Sequence, residues 1–184
     1  TNGQIMAWMV DEYCKLTGHF AVGMLTGKPV AWGGSLGRSE ATGFGVAVTA
    51  REAAAKLGID LKGAKVAVQG FGNVGSYTVK NFIKLGGKVV AVAEWEPKNG
   101  TYVIYNEAGF CFEELKDYRT HNGNLLGFPG SQAISLDEFW ALDVDVMVPA
   151  ALENAIDAKQ AEVIKAKLVV EAANGPVTPA GDKV

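Results

Sequence analysis

The chain has 184 residues and a formal net charge of −3, with 48% hydrophobic and 20% charged residues. This length predicts one domain, or one domain with an attached segment, and it is sufficient for a hydrophobic core without disulfides. The mild acidity argues against a nucleic-acid partner, and no apolar run reaches the ~18 residues of a membrane span. The two cysteines, Cys14 and Cys111, lie far apart in the sequence, which favours a reduced, cytoplasmic protein.

The N-terminal part of the chain predicts two helices separated by a long loop. The first helix is capped by Asn2 and ended by Gly18. Its predicted apolar stripe consists of Ile5, Met9, Tyr13 and Leu16. Residues 19–42 are rich in glycine and aperiodic, which is typical of a functional loop, and the second helix is predicted over 43–57.

The remainder alternates between strand and helix patterns. Lys65–Gln69 and Val89–Ala93 are short apolar runs typical of buried parallel strands, and helical spacing lies between them. Further strands are predicted at 102–105, 144–148 and 168–170, and further helices at 112–118 and 157–166, with a loop over 122–130. This alternation predicts an α/β fold of the Rossmann type, with a doubly wound, mostly parallel sheet and helices on both of its faces.

The turn after the first strand carries the pattern G-x-G-x-x-G. Its residues are Gly70, Phe71, Gly72, Asn73, Val74 and Gly75. Gly70 permits a sharp turn, Gly72 lets the backbone approach a pyrophosphate, and Gly75 lets the helix pack close to the strand. The start of that helix would offer N–H groups and its positive dipole end to phosphates. The alternative is that these glycines only shape the turn and bind no ligand.

Glu94 lies at the end of the next strand, nineteen residues after Gly75, where a dinucleotide-binding fold places an acid for the adenosine ribose. A carboxylate repels a 2′-phosphate, and Trp95 crowds the space beside it, so NAD is favoured over NADP. Lys88 and Lys98 would partly neutralise the acid.

Several blocks of the chain resemble the glutamate dehydrogenase family, in the order in which that family has them. These blocks are Thr1–Leu16, Thr26–Pro29, Gly33–Arg38, Glu40–Gly43, Pro149–Ala151 and Glu171–Pro176. Leucine, valine and phenylalanine dehydrogenases share the fold, but the block from Gly33 to Gly43 resembles the glutamate branch. Some NADP-using members also carry an acid at the position of Glu94, which weakens the inference from an acid to NAD.

The resemblance assigns further residues to a cofactor site. Thr42 matches a threonine at the nicotinamide end, and Asn73 matches an asparagine that meets the cofactor at the glycine-rich turn. Ala150 and Ala151 match the strand end against which the nicotinamide half lies. Asn174 matches an asparagine that contacts the nicotinamide ribose or carboxamide.

The resemblance also implies a domain organisation and an activity. Residues 1–42 would be an interdomain helix and a glycine-rich loop leading into a dinucleotide-binding domain, 43–184, truncated at both ends relative to the parent enzyme. One strand within 95–135 would be reversed. The parent, a homohexamer, would convert L-glutamate, NAD and water to 2-oxoglutarate, ammonium and NADH. Its catalytic lysines and aspartate would precede Thr1, so these 184 residues are expected to bind cofactor as a monomer without catalysis.

Other interpretations remain open at the level of sequence. An NAD-sensing regulatory domain would need only the adenosine half of the site, and a methyltransferase would bind S-adenosylmethionine instead. A cofactor domain of a leucine, valine or phenylalanine dehydrogenase is a third alternative. Arg38 either binds phosphate or pins its own loop by hydrogen bonds. His19 and His121 have no partners at ligand spacing, so no metal site is predicted.

Overall fold

The computed structural model describes residues 2–21 and 23–184. Thr1, the first residue of the first block quoted above, and Val22 lie outside the described residues. The chain folds as two compact units, residues 1–41 and residues 42–184.

The first unit contains the predicted N-terminal helix. Helix α1 spans Gly3–Thr17, the Asn2 side chain accepts a hydrogen bond from the Ile5 amide at 3.0 Å, and Gly18 ends the helix at φ 73°. The predicted apolar stripe is wrong, because Leu16 is 78% exposed while Ala7 and Val10 are buried. Apolar residues occur on several sides of this helix, so periodicity alone did not identify the buried face. A short 3₁₀ helix follows at Val30–Trp32.

Helix α2 spans Arg38–Leu57 and therefore begins before the predicted residue 43. Arg38 and Thr42 are helical rather than part of a loop. In the part of α2 that belongs to the second unit, Val46, Ala50 and Ala54 are buried. Phe44, on the same part of the helix, is 57% exposed.

The second unit is built on one six-stranded sheet. Its strands are β1 Lys65–Gln69, β2 Lys88–Glu96, β3 Gly100–Tyr105, β4 Gln132–Ile134, β5 Val146–Pro149 and β6 Leu168–Val169. Its helices after α2 are α3 Asn73–Lys84, α4 Phe112–Asn122, α5 Leu136–Trp140, α6 Ala158–Val163 and a 3₁₀ turn at Gly181–Lys183.

The strand order is β4-β3-β2-β1-β5-β6. Strand β1 is parallel to both β2 and β5, and β5 is parallel to β6. Strand β3 is antiparallel to its neighbours β2 and β4, so it is the one reversed strand, and it lies within 95–135 as expected. The prediction of a Rossmann-type, mostly parallel α/β sheet is thereby confirmed.

Two hydrophobic layers cover the two faces of the sheet. Val66 and Val68 of β1 pack in one layer with residues of α2, α3 and α4. Ala67, which lies between them in the sequence, packs in the other layer with Phe139 and Trp140 of α5. Because successive side chains of a strand point to opposite faces, an all-apolar strand requires a cover on both sides.

Two short elements and several element boundaries, among them the end of β2, differ from the sequence prediction. Strand β2 continues to Glu96, so Glu94 lies within the strand and pairs in register with Tyr102 of β3. Strand β4 and helix α5 were not predicted. Helix α5 begins with a capping box between Ser135 and Glu138, a pattern that was legible in the sequence. Within the described residues, no helix is long and apolar enough to cross a membrane.

Candidate functional site

The candidate site lies at the carboxyl edge of the four parallel strands β2, β1, β5 and β6. Strand β1 has β2 on one side and β5 on the other, so the chain leaves β1 towards one side of the sheet and later returns on the opposite side. In doubly wound sheets, ligands bind in the crevice at such a reversal of strand order.

The glycine-rich turn from β1 to α3 has a different steric reason for each of its glycines. Gly70 has φ +100°, a conformation that side-chain-bearing residues rarely adopt, and its amide donates to the Ala93 carbonyl at 2.5 Å. A Cβ at Gly75 would lie 1.9 Å from the Gly70 carbonyl oxygen. At Gly72, by contrast, no described atom other than those of its two chain neighbours lies within 4 Å of the Cβ position. Gly70 and Gly75 are therefore required by the fold, whereas Gly72 faces open space.

Helix α3 starts directly behind that open space. It is 12 residues long and its N-cap is Gly72, which offers no side-chain oxygen to the first amides of the helix. The first N–H groups of an α-helix have no carbonyl partner within the helix, and its N-terminus is the positive end of the dipole. With no acidic residue in the first turn, the end of α3 suits an anionic ligand.

The other residues of the turn differ in how far their side chains are exposed. Phe71 is 2% exposed and its ring belongs to the core, so it can offer a ligand only its backbone. Asn73 is exposed, and Val74 is half-buried against the core.

Two further strand ends reach the same edge of the sheet. Ala150 and Ala151 directly follow β5, and the Ala150 amide donates to the Gln69 carbonyl at 2.8 Å. A Cβ at Gly70 would meet the Ala150 carbonyl oxygen at 2.8 Å, which shows how closely these two strand ends approach each other. Asn174 is exposed in the segment after β6, where the Ala173 amide donates to the Pro149 carbonyl at 3.1 Å.

Glu94 is the acid at this edge, and it is only 8% exposed. One carboxylate oxygen, Oε1, forms an ion pair with Nη2 of Arg119 at 2.5 Å. The other oxygen, Oε2, accepts a hydrogen bond from the Tyr102 hydroxyl at 2.9 Å, and that hydroxyl accepts from the Leu125 amide at 2.8 Å. The acid is thus held by α4, by β3 and by the segment after α4.

Burial raises the pKa of Glu94, and the nearby Arg119 charge and the Tyr102 hydrogen bond oppose this rise without cancelling it. Burial likewise raises the pKa of Tyr102, so its hydroxyl remains protonated and able to donate. Without Arg119, Glu94 would be a buried charge with no cationic partner, which is strongly unfavourable.

The partner of Glu94 differs from the sequence prediction. Lys88 begins β2, six residues before Glu94, which in a strand corresponds to about 20 Å. The ion pair is instead made by Arg119, in the last turn of α4. Neither Arg119 nor Tyr102 was identified from the sequence. Trp95 points away from the core and is 63% exposed.

The remaining predicted residues lie on α2. Thr42 is exposed on the part of the helix that belongs to the second unit. Arg38, in the first unit, donates from Nε to the Thr26 hydroxyl at 3.4 Å, which is the contact expected if it pins its own loop. Among residues 2–21 and 23–184, no cluster of three or more His, Cys, Asp or Glu side chains could hold a metal ion.

Comparisons with known proteins show which proteins this chain resembles. The chain is 68% identical to the NAD-specific glutamate dehydrogenase of Clostridioides difficile, over all of this chain and 44% of the relative. It is 60% identical to the NAD-specific glutamate dehydrogenase of Peptoniphilus asaccharolyticus, again over 44% of the relative. The chain thus spans less than half the length of these relatives.

Solved structures show the same similarity. The glutamate dehydrogenase of Peptoniphilus asaccharolyticus matches all of this chain and 41% of its own, with a TM-score of 0.77 and 54% identity. The hetero-hexameric glutamate dehydrogenase of Thermus thermophilus, in a leucine-bound form, matches 99% of this chain and 42% of its own, with a TM-score of 0.88 and 35% identity.

The model of the glutamate/leucine/phenylalanine/valine dehydrogenase family matches residues 33–184, which is most of the chain. The chain therefore belongs to the glutamate/leucine/phenylalanine/valine dehydrogenase family.

Proposed function

We propose that this chain is the cofactor-binding part of an NAD-dependent glutamate dehydrogenase, and that NAD(H) binds along the carboxyl edge of β2, β1, β5 and β6. The observation that carries this proposal is the open space at Gly72 in front of the start of α3. A backbone without side chains beside a helix N-terminus is what a pyrophosphate requires. The names of the two relatives quoted above, both NAD-specific glutamate dehydrogenases, support the choice of cofactor and substrate.

Each part of the edge has a distinct task in this proposal. The amides of Gly72 and Asn73 bind the pyrophosphate, and Glu94 accepts hydrogen bonds from the adenosine ribose. Ala150 and Ala151 form the wall beside the nicotinamide half, because small side chains after β5 let a flat ring approach the backbone. Asn174 and Thr42 contact the nicotinamide end.

When bound, NAD supplies the ring carbon that accepts a hydride from the Cα of glutamate. In this proposal the protein binds and orients the cofactor, and the polar groups that act on glutamate belong to the rest of the polypeptide. Membership of a dehydrogenase family favours this function over a purely NAD-sensing domain. The identity to glutamate dehydrogenases favours glutamate over leucine, valine or phenylalanine as the substrate.

Amide hydrogen exchange with and without NADH tests where the cofactor binds. NADH should slow exchange in residues 70–76 and 93–95, while α5, which packs on the other face of the sheet, should change little. S-adenosylmethionine serves as the comparison ligand, because a methyltransferase would respond to it instead. Protection of 70–76 by S-adenosylmethionine but not by NADH would overturn the proposal.

A further inference from the structure

Arg119 connects two parts of the proposed site that are distant in the sequence. Its Nη1 donates to the Phe71 carbonyl of the glycine-rich turn at 2.8 Å, and its Nη2 pairs with Glu94 at 2.5 Å. Its guanidinium also lies over the Phe71 ring, 5.8 Å from the ring centroid. One side chain from α4 therefore fixes the position of the acid on β2 relative to the turn that follows β1.

The Arg119 side chain is also partly accessible, since 37% of it is exposed, whereas its partner Glu94 is almost covered. Guanidinium groups have five N–H donors in a planar fork and bind phosphate in a bidentate manner. In this structure one of these donors is used by Glu94 and another by Phe71. Because the Arg119 guanidinium pairs with Glu94, it lies next to any ribose hydroxyl that Glu94 binds.

We propose that Arg119 is a second determinant of cofactor selectivity. It holds Glu94 in place for the ribose hydroxyls, and its ion pair with Glu94 prevents it from binding a 2′-phosphate. The ion pair has no net charge, so repulsion by Glu94 alone does not account for selection against the phosphate. NAD is selected over NADP because the Glu94 carboxylate accepts hydrogen bonds from the ribose hydroxyls and also pairs with the Arg119 cation that a 2′-phosphate would require. The inference rests on the proposed binding of NAD(H) at this edge.

A double-mutant cycle separates this account from simple repulsion. The dissociation constants of NADH and NADPH are measured for the unaltered chain, Glu94→Ser, Arg119→Ala and the double variant. Glu94→Ser releases Arg119, so NADPH should bind about tenfold more tightly, the scale of one charge-assisted hydrogen bond, while NADH binds more weakly. The added Arg119→Ala should abolish the gain for NADPH.

Lys116→Ala in the Glu94→Ser background is the matched control. Lys116 is exposed on the same helix, one turn before Arg119, so this substitution removes the same charge. The control should retain the gain for NADPH. A gain that survives Arg119→Ala, or no gain in Glu94→Ser, would overturn the inference. Failure of the unaltered chain to bind NADH would overturn the proposed function instead.

The pH dependence of NAD binding gives a readout that a purely structural role of Arg119 would not move. The groups that act on Glu94 are Arg119 from α4 and Tyr102 from β3, and both favour its ionised form. Removing the cation raises the pKa of Glu94 further, so the loss of NAD affinity on the acid side should shift to higher pH in Arg119→Ala. Arg119→Lys restores the charge and should partly reverse the shift. Overlapping pH profiles of Arg119→Ala and the unaltered chain would contradict the inference.

Discussion

Gly72 and Gly75 belong to the same turn, but their surroundings are opposite. A side chain at position 72 would enter open space, and Gly72 has an extended backbone, with φ −71° and ψ −157°, outside the left-handed region that favours glycine. A side chain at position 75 would collide with the Gly70 carbonyl. Substitutions at these two positions therefore distinguish an effect on cofactor binding from an effect on folding.

Gly72→Val should abolish NADH binding while the melting temperature stays within experimental error, because the valine occupies the space assigned to the pyrophosphate. Gly75→Ala should destabilise the fold by roughly 2–4 kcal/mol through overpacking against backbone. Thermal unfolding and NADH titration of both variants check this difference. Normal NADH affinity in folded Gly72→Val would refute the role of the turn.

The glycine-rich turn and Glu94 could be predicted from their spacing, whereas Thr42, Ala150, Ala151 and Asn174 were implied only by the resemblance to the family. The spacing from Gly70 to Glu94 follows from one strand–helix–strand unit, whose length the sequence makes visible. Arg119 could not be found in this way. Its contact with Glu94 depends on how α4 packs after the β2–β3 hairpin, and no local spacing rule connects residues 94 and 119.

At the scale of elements, α2 has two glycines two residues apart with different roles. Gly43 lies against α3, where a Cβ would come within 2.6 Å of the Tyr77 Cβ and 2.7 Å of the Thr78 amide nitrogen. Gly45 is exposed, and no described atom outside its own helix lies within 4 Å of its Cβ position. Close packing of helices α2 and α3 therefore requires a glycine at position 43 only.

Gly45→Ala should stabilise the fold by about 0.5–1 kcal/mol, since alanine loses less backbone entropy in a helix interior than glycine. Gly43→Ala should destabilise it, because the added methyl group meets backbone as well as side chain. Urea unfolding of the two variants measures whether each substitution raises or lowers the free energy of unfolding. Equal effects of the two substitutions would show that helix propensity, not packing, governs this pair.

Asp145 lies directly before β5 and links the start of that strand to the starts of β1 and β6. Its Oδ2 accepts from the Lys65 amide, which begins β1, at 3.0 Å, and its Oδ1 pairs with Lys167, just before β6, at 2.8 Å. These contacts, led by the hydrogen bond from Lys167, lower the pKa of Asp145. A lowered pKa in the folded state stabilises the fold above the ordinary value of 3.8, and this stabilisation is lost as the pH falls through the lowered value.

Asp145→Ala should therefore cost about 1 kcal/mol of unfolding free energy at pH 7, the scale of one intramolecular hydrogen bond. The difference from the unaltered chain should shrink below pH 3.8. Asp145→Asn, which keeps an acceptor for the Lys65 amide, should cost less. Urea unfolding between pH 7 and pH 2 tests this, and a difference that does not change with pH would contradict it.

Elements were predictable where a pattern was long or strongly bounded. The apolar runs of β1 and β2 and the spacing of α3 predicted the central strand–helix–strand unit. The three-residue strand β4 and the five-residue helix α5 are too short for periodicity to identify. The start of α2 was missed because Arg38–Gly43 contains glycine, serine and threonine, which favour loops and caps as well as helices.

At the scale of the whole molecule, every strand end of the proposed site lies in the unit formed by residues 42–184. The sheet brings residues from four parts of the sequence to one edge, and the two hydrophobic layers hold that edge in place. We therefore expect the 184-residue chain to bind a dinucleotide by itself.

The most direct test is a fluorescence titration of the chain, first with NADH and then with NADPH, which follows quenching of the tryptophans. Trp95 is exposed beside Glu94, whereas Trp140 is buried in the core and should report little. We expect saturable quenching by NADH and weaker binding of NADPH, with the NADH signal reduced in Trp95→Phe. Saturable binding of neither nucleotide would contradict the assignment of the carboxyl edge as a dinucleotide site.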